Sequence, residues 1–134
     1  MTPTPPPFPA TRPRRLRQSA AWRRLVAETR VHPAQLVLPM FVRENADEAL
    51  PIGSMPGVQQ HSLDSFRAEL HRAAAAGIGG VMLFGVPEHK DARGSGATDP
   101  DGILNVATRI AAEEVGSDLV VQTDLCLDEF TDHG

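Results

Sequence analysis

The residues of this chain best suited to chemistry lie together at positions 123–134. They include Asp124, Cys126, Asp128, Glu129, Asp132 and His133, and Cys126 is the only cysteine in 134 residues. The stretch follows an apolar run, Leu119-Val120-Val121. Side chains along a strand alternate between faces. Read as a strand, Asp124, Cys126 and Asp128 share one face, and Leu125 and Leu127 share the other. Two carboxylates and a thiol at the end of a buried strand cost free energy unless something pairs with them. A metal ion or a bound substrate would supply that pairing. The bland readings stand beside this one. A lone cysteine also serves as a small packing residue, and loop acids are often simply solvated. Glu129 is assigned to that solvated group.

These residues need elements to hold them. The apolar runs at 35–42, 79–86 and 119–127 have strand length. The second, Gly79 to Val86, is apolar nearly throughout, which argues for burial on both faces, as in a parallel sheet. Pro39 inside the first run implies an edge position, a bulge or a strand end. Between the runs, Leu63, Phe66, Leu70, Ala73 and Ala74 fall at helical spacing, with Ser62 as N-cap and Gly77 just past the end. Ile103, Leu104, Ala107, Ile110, Ala111 and Val115 define another helix ending at Gly116. Strand, helix, strand, helix, strand means βαβ units and a parallel sheet.

Two long connections remain. Residues 43–61 read as a rigid loop with a Pro56-Gly57 turn. Residues 87–102 form a long polar loop of the kind that carries function. Gly94-Ser95-Gly96 there matches neither phosphate-binding fingerprint. Lys90, the only lysine, sits between His89 and Asp91 and reads as a surface residue rather than a desolvated Schiff-base amine.

The N-terminus differs in character. Residues 1–13 carry six prolines, and residues 1–30 carry seven arginines against one acid, Glu28. With a net charge of −4 for the whole chain, the remainder stands at −10. Residues 1–18 are expected to form a mobile arm, and residues 19–134 part of one domain. Ser19 could cap a short helix bearing Trp22, Leu25 and Val26 on one face. The arginines are either the solvated face of that helix or a surface that docks on another subunit. No aromatics interleave with them, so nucleic acid is not the expected partner. No run of about 18 apolar residues is present, so no membrane span is expected, and a single cysteine fits a reducing cytoplasm.

A sheet of three strands buried on both faces leaves an open edge. A TIM (β/α)₈ barrel needs about 250 residues, and this chain supplies the arm and about three βα steps. It therefore reads as an α/β barrel, incomplete as given, in preference to a small open sheet. Barrel sites lie at the C-terminal ends of strands, where both the 123–134 stretch and the 87–102 loop fall.

Six ordered segments carry a resemblance to a known family. They are Arg12-Pro13-Arg14-Arg15-Leu16-Arg17, Leu36 to Val42, Pro51 to Val58, Leu83 to Pro87 with Lys90-Asp91, Asp99 to Gly102, and Thr123 to Asp128 running to Thr131-Asp132-His133-Gly134. The chain resembles the N-terminal part of porphobilinogen synthase, or δ-aminolevulinic acid dehydratase. The resemblance implies a TIM-like barrel in a homo-oligomer, with an arm that wraps a neighbouring subunit. It implies a lyase that condenses two 5-aminolevulinate molecules to porphobilinogen with loss of water, in haem and tetrapyrrole biosynthesis. It also implies two Schiff-base lysines that would lie beyond position 134, so the chain alone is expected to be inactive. Asp124 then matches an active-site aspartate that positions substrate or shuttles protons. Cys126 and Asp128 match two of three metal-binding positions, with zinc or magnesium as the divalent ion. His133 becomes a scaffold residue. A different class of reading is a non-catalytic module whose basic arm binds an intact subunit.

Overall fold

The computed structural model describes residues 4, 6–8, 10, 12 and 14–134. The expected mobile arm therefore falls in part on Met1, Thr2, Pro3, Pro5, Pro9, Thr11 and Pro13, which lie outside the described residues. The chain divides into two compact units, Met1–Val31 and His32–Gly134.

Among its described residues the first unit contains one short α-helix, α1 (Ala20–Leu25). Ser19 caps it, its hydroxyl accepting from the Trp22 N–H at 3.2 Å. No α1 residue is buried.

The second unit is a sheet with helices along one face. Its elements are β1 (Val37–Arg43), β2 (Leu50–Pro51), β3 (Gln59–His61), α2 (Leu63–Ala75), β4 (Gly80–Val86), α3 (Ser95–Thr98), α4 (Ile103–Val115) and β5 (Val120–Thr123). The strand order is β2-β3-β1-β4-β5. β1, β4 and β5 run parallel, joined through α2 and α4 as consecutive βα steps. The Ser62 hydroxyl caps α2 by accepting from the Ser65 N–H. Gly77 closes that helix at φ +70°, a conformation that favours glycine. One sheet face (Met40, Val42, Val81, Leu83) packs on Phe66, Leu70 and Ala73 of α2 and on Ala107, Ile110 and Ala111 of α4. These side chains repeat at the periods of a strand and a helix, so burying both patterns together builds the core.

Three expectations are corrected. First, residues 43–61 are not only a loop, because β2 and β3 pair antiparallel within them. The turn between is as expected: Val58 N–H donates to Met55 C=O at 3.0 Å, with Gly57 at φ +84°. Second, Pro39 lies within β1, which has β3 on one side and β4 on the other, but β3 does not reach Pro39, so the expected edge position applies to this residue and not to the strand as a whole. The proline is tolerated because alternate residues of a parallel strand point their N–H groups to opposite sides. Glu44 N–H bonds Val86 C=O on β4, so the even-numbered residues face β4 and Pro39 faces β3. β3 begins its pairing only at Phe41, so no ladder bond requires the missing N–H. Third, the last strand stops at Thr123, not Leu127. Asp124 adds one rung, its N–H donating to Leu83 C=O at 3.1 Å, and Phe130 and Thr131 N–H groups then turn back onto Leu127 C=O. Leu125 is fully exposed and Leu127 is 55% exposed, so they form no buried strand face.

Candidate functional site

β5 aims the first of the expected site residues. Paired residues on neighbouring strands share a face, and Leu83 pairs with Thr123. The rung at Asp124 therefore brings it opposite Phe84, which in turn pairs with Phe41. Phe41 and Phe84 stack with ring centroids 5.1 Å apart and planes at 24°. Both rings lie on the sheet face turned away from α2 and α4, at the C-terminal ends of the strands, and both are half-buried. Asp124 is half-buried. The aromatic pair was not singled out from sequence, because each phenylalanine is one more apolar residue in an apolar run. The signal that could have found it is positional: each stands two residues before the end of its strand.

Cys126 and Asp128 lie beyond the strand, so strand alternation does not unite them with Asp124. The turn does bring them to each other: the Cys126 thiol hydrogen-bonds an Asp128 carboxylate oxygen, and both residues are exposed. That carboxylate holds the proton on the thiol and raises its pKa above 9.0, with the charges of Asp128 and Asp124 acting in the same direction. Among the described residues, no three His, Cys, Asp or Glu side chains come together as a metal-holding group. Cys126 and Asp128 are thus a donor pair.

Glu129 differs from the solvated acid expected of it. Its Oε2 is shielded from solvent without a hydrogen-bond partner. Burial raises its pKa, helped by the charges of Asp124 and Asp128, while Lys90 and the Gly85 N–H oppose the rise. Lys90 itself is exposed, as is His133.

The loop after β4 is ordered by Asp91. Its carboxylate accepts from Arg93 N–H at 2.8 Å, from Ser95 N–H at 3.1 Å and from the Ser95 hydroxyl. Those bonds hold its pKa below the ordinary aspartate value, the Ser95 hydroxyl contributing most. Asp91 also forms a parallel bridge with Thr131, so this loop and the 124–134 turn are joined. A cavity of about 450 Å³ borders the turn, with Asn105, Thr108, Asp124, Cys126 and Phe130 in its wall.

Comparison with known proteins agrees with this fold. The family model described as delta-aminolevulinic acid dehydratase matches residues 10–134. The chain is 58% identical over 129 residues to the delta-aminolevulinic acid dehydratase of Streptomyces coelicolor, covering 95% of this chain and 39% of that protein. The corresponding Staphylococcus aureus protein is 46% identical over 123 residues, covering 92% and 38%. The chain thus spans about two-fifths of the length of these curated relatives. A crystal structure of the Toxoplasma gondii delta-aminolevulinic acid dehydratase (porphobilinogen synthase), in complex with the reaction product porphobilinogen, superposes with a TM-score of 0.79. It is 33% identical, and the match covers 91% of this chain and 35% of that one. The sheet and helices described above are βα steps of such a TIM barrel.

Proposed function

The chain belongs to the delta-aminolevulinic acid dehydratase family, and from that premise we propose that it takes part in condensing two 5-aminolevulinate molecules to porphobilinogen with loss of water. The observation that carries this reading is the placement of Asp124. It stands at the C-terminal end of β5, anchored by its N–H to Leu83 C=O and opposite the Phe41–Phe84 pair. A half-buried carboxylate beside an apolar floor suits a ligand with an amino group on a short carbon chain. In this role Asp124 orients the amino group and accepts a proton during condensation. The two rings keep water from the carbon chain.

Cys126 and Asp128 fit a divalent cation as two members of its ligand set, since their donor atoms already meet at the surface of the turn. Sulfur favours zinc, and the carboxylate serves zinc or magnesium. When bound, such an ion supplies Lewis-acid polarisation of a carbonyl oxygen. Its binding must displace the thiol proton that Asp128 holds, so affinity falls as pH is lowered.

Residues 1–134 taken alone do not turn over substrate, because the single lysine, Lys90, is exposed in a polar loop. Schiff-base lysines are activated by desolvation. Borohydride treatment with 5-aminolevulinate should leave Lys90 unmodified, and a stable reduced adduct there would refute this. The arginine-rich Met1–Val31 unit serves a homo-oligomer by docking on the acidic unit of a second copy. Charge reversal at Arg14, Arg15 and Arg17 should then shift elution toward monomer, and unchanged elution removes the idea.

The test of the main reading is a titration of the ¹⁵N-labelled chain with porphobilinogen and with 5-aminolevulinate. Shifts are expected at the backbone amides of Asp124, Phe41 and Phe84, and Asp124→Asn should weaken them. Saturating ligand without a shift at any of the three would overturn the assignment.

A further inference from the structure

Phe130 follows Asp128 by two residues and is 1% exposed. The buried ring lies in a slot made by glycines of β4 and the loop after it. A Cβ on Gly85 would stand 3.0 Å from Phe130 Cζ, one on Gly96 3.3 Å from Cδ1, and one on Gly94 3.6 Å from its Cβ. Gly94 has φ +62°, which lets the loop bend over the ring. The backbone on either side of the ring is tied to the same loop. Asp91 N–H donates to Phe130 C=O at 3.3 Å, and Asp132 N–H donates to Asp91 C=O at 3.2 Å. Asp91 in turn is fixed by its bonds to Arg93 and Ser95. Phe130 and Thr131 N–H groups both reach Leu127 C=O at 2.9 Å. The turn from Leu127 to Thr131 is thus closed on itself and pinned by a side chain that fills a slot on the neighbouring loop.

We propose that Phe130, seated in the slot of Gly85, Gly94 and Gly96, is the positioning residue that sets the Cys126–Asp128 donor pair at the end of β5. Left to local sequence, the alternating Leu125 and Leu127 would continue the strand and point Cys126 and Asp128 away from each other's reach, about 7 Å apart along one face. Seating Phe130 pulls the chain off the sheet edge after Asp124 and folds Asp128 back against the Cys126 thiol. The ring acts by fixing the turn that folds Asp128 back toward Cys126. As applied to a metal, this rests on the donor-pair reading above.

The test uses the whole chain with Phe130→Ala, Phe130→Leu and Gly96→Ala. Phe130→Ala should displace the amide resonances of residues 125–128 toward unstructured positions while those of Val81, Leu83 and Ile110 hold. Wild-type chain titrated with cobalt(II) should show thiolate-to-cobalt absorption, and Phe130→Ala should weaken the apparent affinity by about tenfold to a hundredfold. Phe130→Leu, which refills most of the slot, should recover most of both signals. If Phe130→Ala unfolds the sheet, Gly96→Ala decides. Its methyl displaces the ring by a few tenths of an ångström, so the 125–128 amides should shift with the sheet intact. Unchanged 125–128 amides in either folded variant would overturn the proposal. Displaced amides in a chain whose wild type takes up no cobalt would support the positioning role and remove the metal reading.

Discussion

Gly80→Ala is the sharpest probe of how the sheet delivers Asp124. Gly80 opens β4 and pairs with Val37 on one side and Val120 on the other. A methyl at this position would lie 2.5 Å from the Val120 carbonyl oxygen and 3.2 Å from its Cβ. The obstacle is backbone, so no rotamer change relieves it. The carbonyl must retreat by about 0.5 Å to reach even the 3.0 Å that real Cβ contacts respect. Val120 also donates its N–H to Gly79 C=O at 3.0 Å, and the same retreat carries that bond beyond the usual range. Overpacking costs about 2 kcal/mol and the weakened ladder bond about 1 kcal/mol. The loss of glycine's unfolded-state freedom returns about 0.7 kcal/mol. The net loss is about 2 kcal/mol, or about 1 M off the urea midpoint at a slope near 2 kcal/mol/M. Gly53→Ala is the control, because a Cβ there meets nothing within 4 Å. Circular dichroism in urea reads the midpoint, and hydrogen exchange reads the Asp124 N–H, which should lose protection as β5 is pushed aside. Equal midpoints for the two variants, with Asp124 protection intact, would refute the reasoning.

Ser62→Ala removes the hydroxyl that accepts the Ser65 N–H at 3.3 Å and should cost about 1 kcal/mol in the same urea assay. Asp91 has a folded pKa below the ordinary 3.8, so its contribution is present above that value and is lost as pH falls through the folded pKa. Asp91→Asn should therefore flatten the acid limb of the stability profile below about pH 4, measured by thermal melts across pH. Asp128→Asn removes the negative charge that helps hold the Cys126 thiol proton and leaves only a neutral amide oxygen to accept from it. Alkylation of Cys126 at neutral pH should then be faster than in wild type, and an unchanged rate would show that the contact does not govern the thiol.

Much of the fold was legible from spacing alone. Leu63, Phe66, Leu70 and Ala73 marked α2, and Ile103, Ala107, Ile110 and Ala111 marked α4, because an amphipathic helix repeats its buried side chains at 3.6 residues. The runs around Met40 and Leu83 marked the two fully developed strands. β2 and β3 were not legible: two and three residues carry too little pattern to reveal a strand. In the candidate site, Asp124 was legible as a residue of the last strand, but the end of that strand at Thr123 was not. The burial of Glu129 was not, because it depends on what lies around it in space, including Gly85 and Lys90 some forty residues earlier.

The 123–134 stretch separates the two kinds of information. Its composition by itself determined that a thiol and several carboxylates follow an apolar strand run, since local hydrophobic period and residue chemistry are written in consecutive positions. The tertiary structure alone decided where that strand stops and which donors meet. Leu125 and Leu127 alternate as a strand should, yet the chain leaves the sheet after Asp124. The observed course buries Phe130 against Gly85 and Gly96 and pairs Asp91 with Thr131, which satisfies apolar surface and backbone away from the sheet edge. Such competition between a local pattern and a distant packing partner is settled only when both segments are folded together.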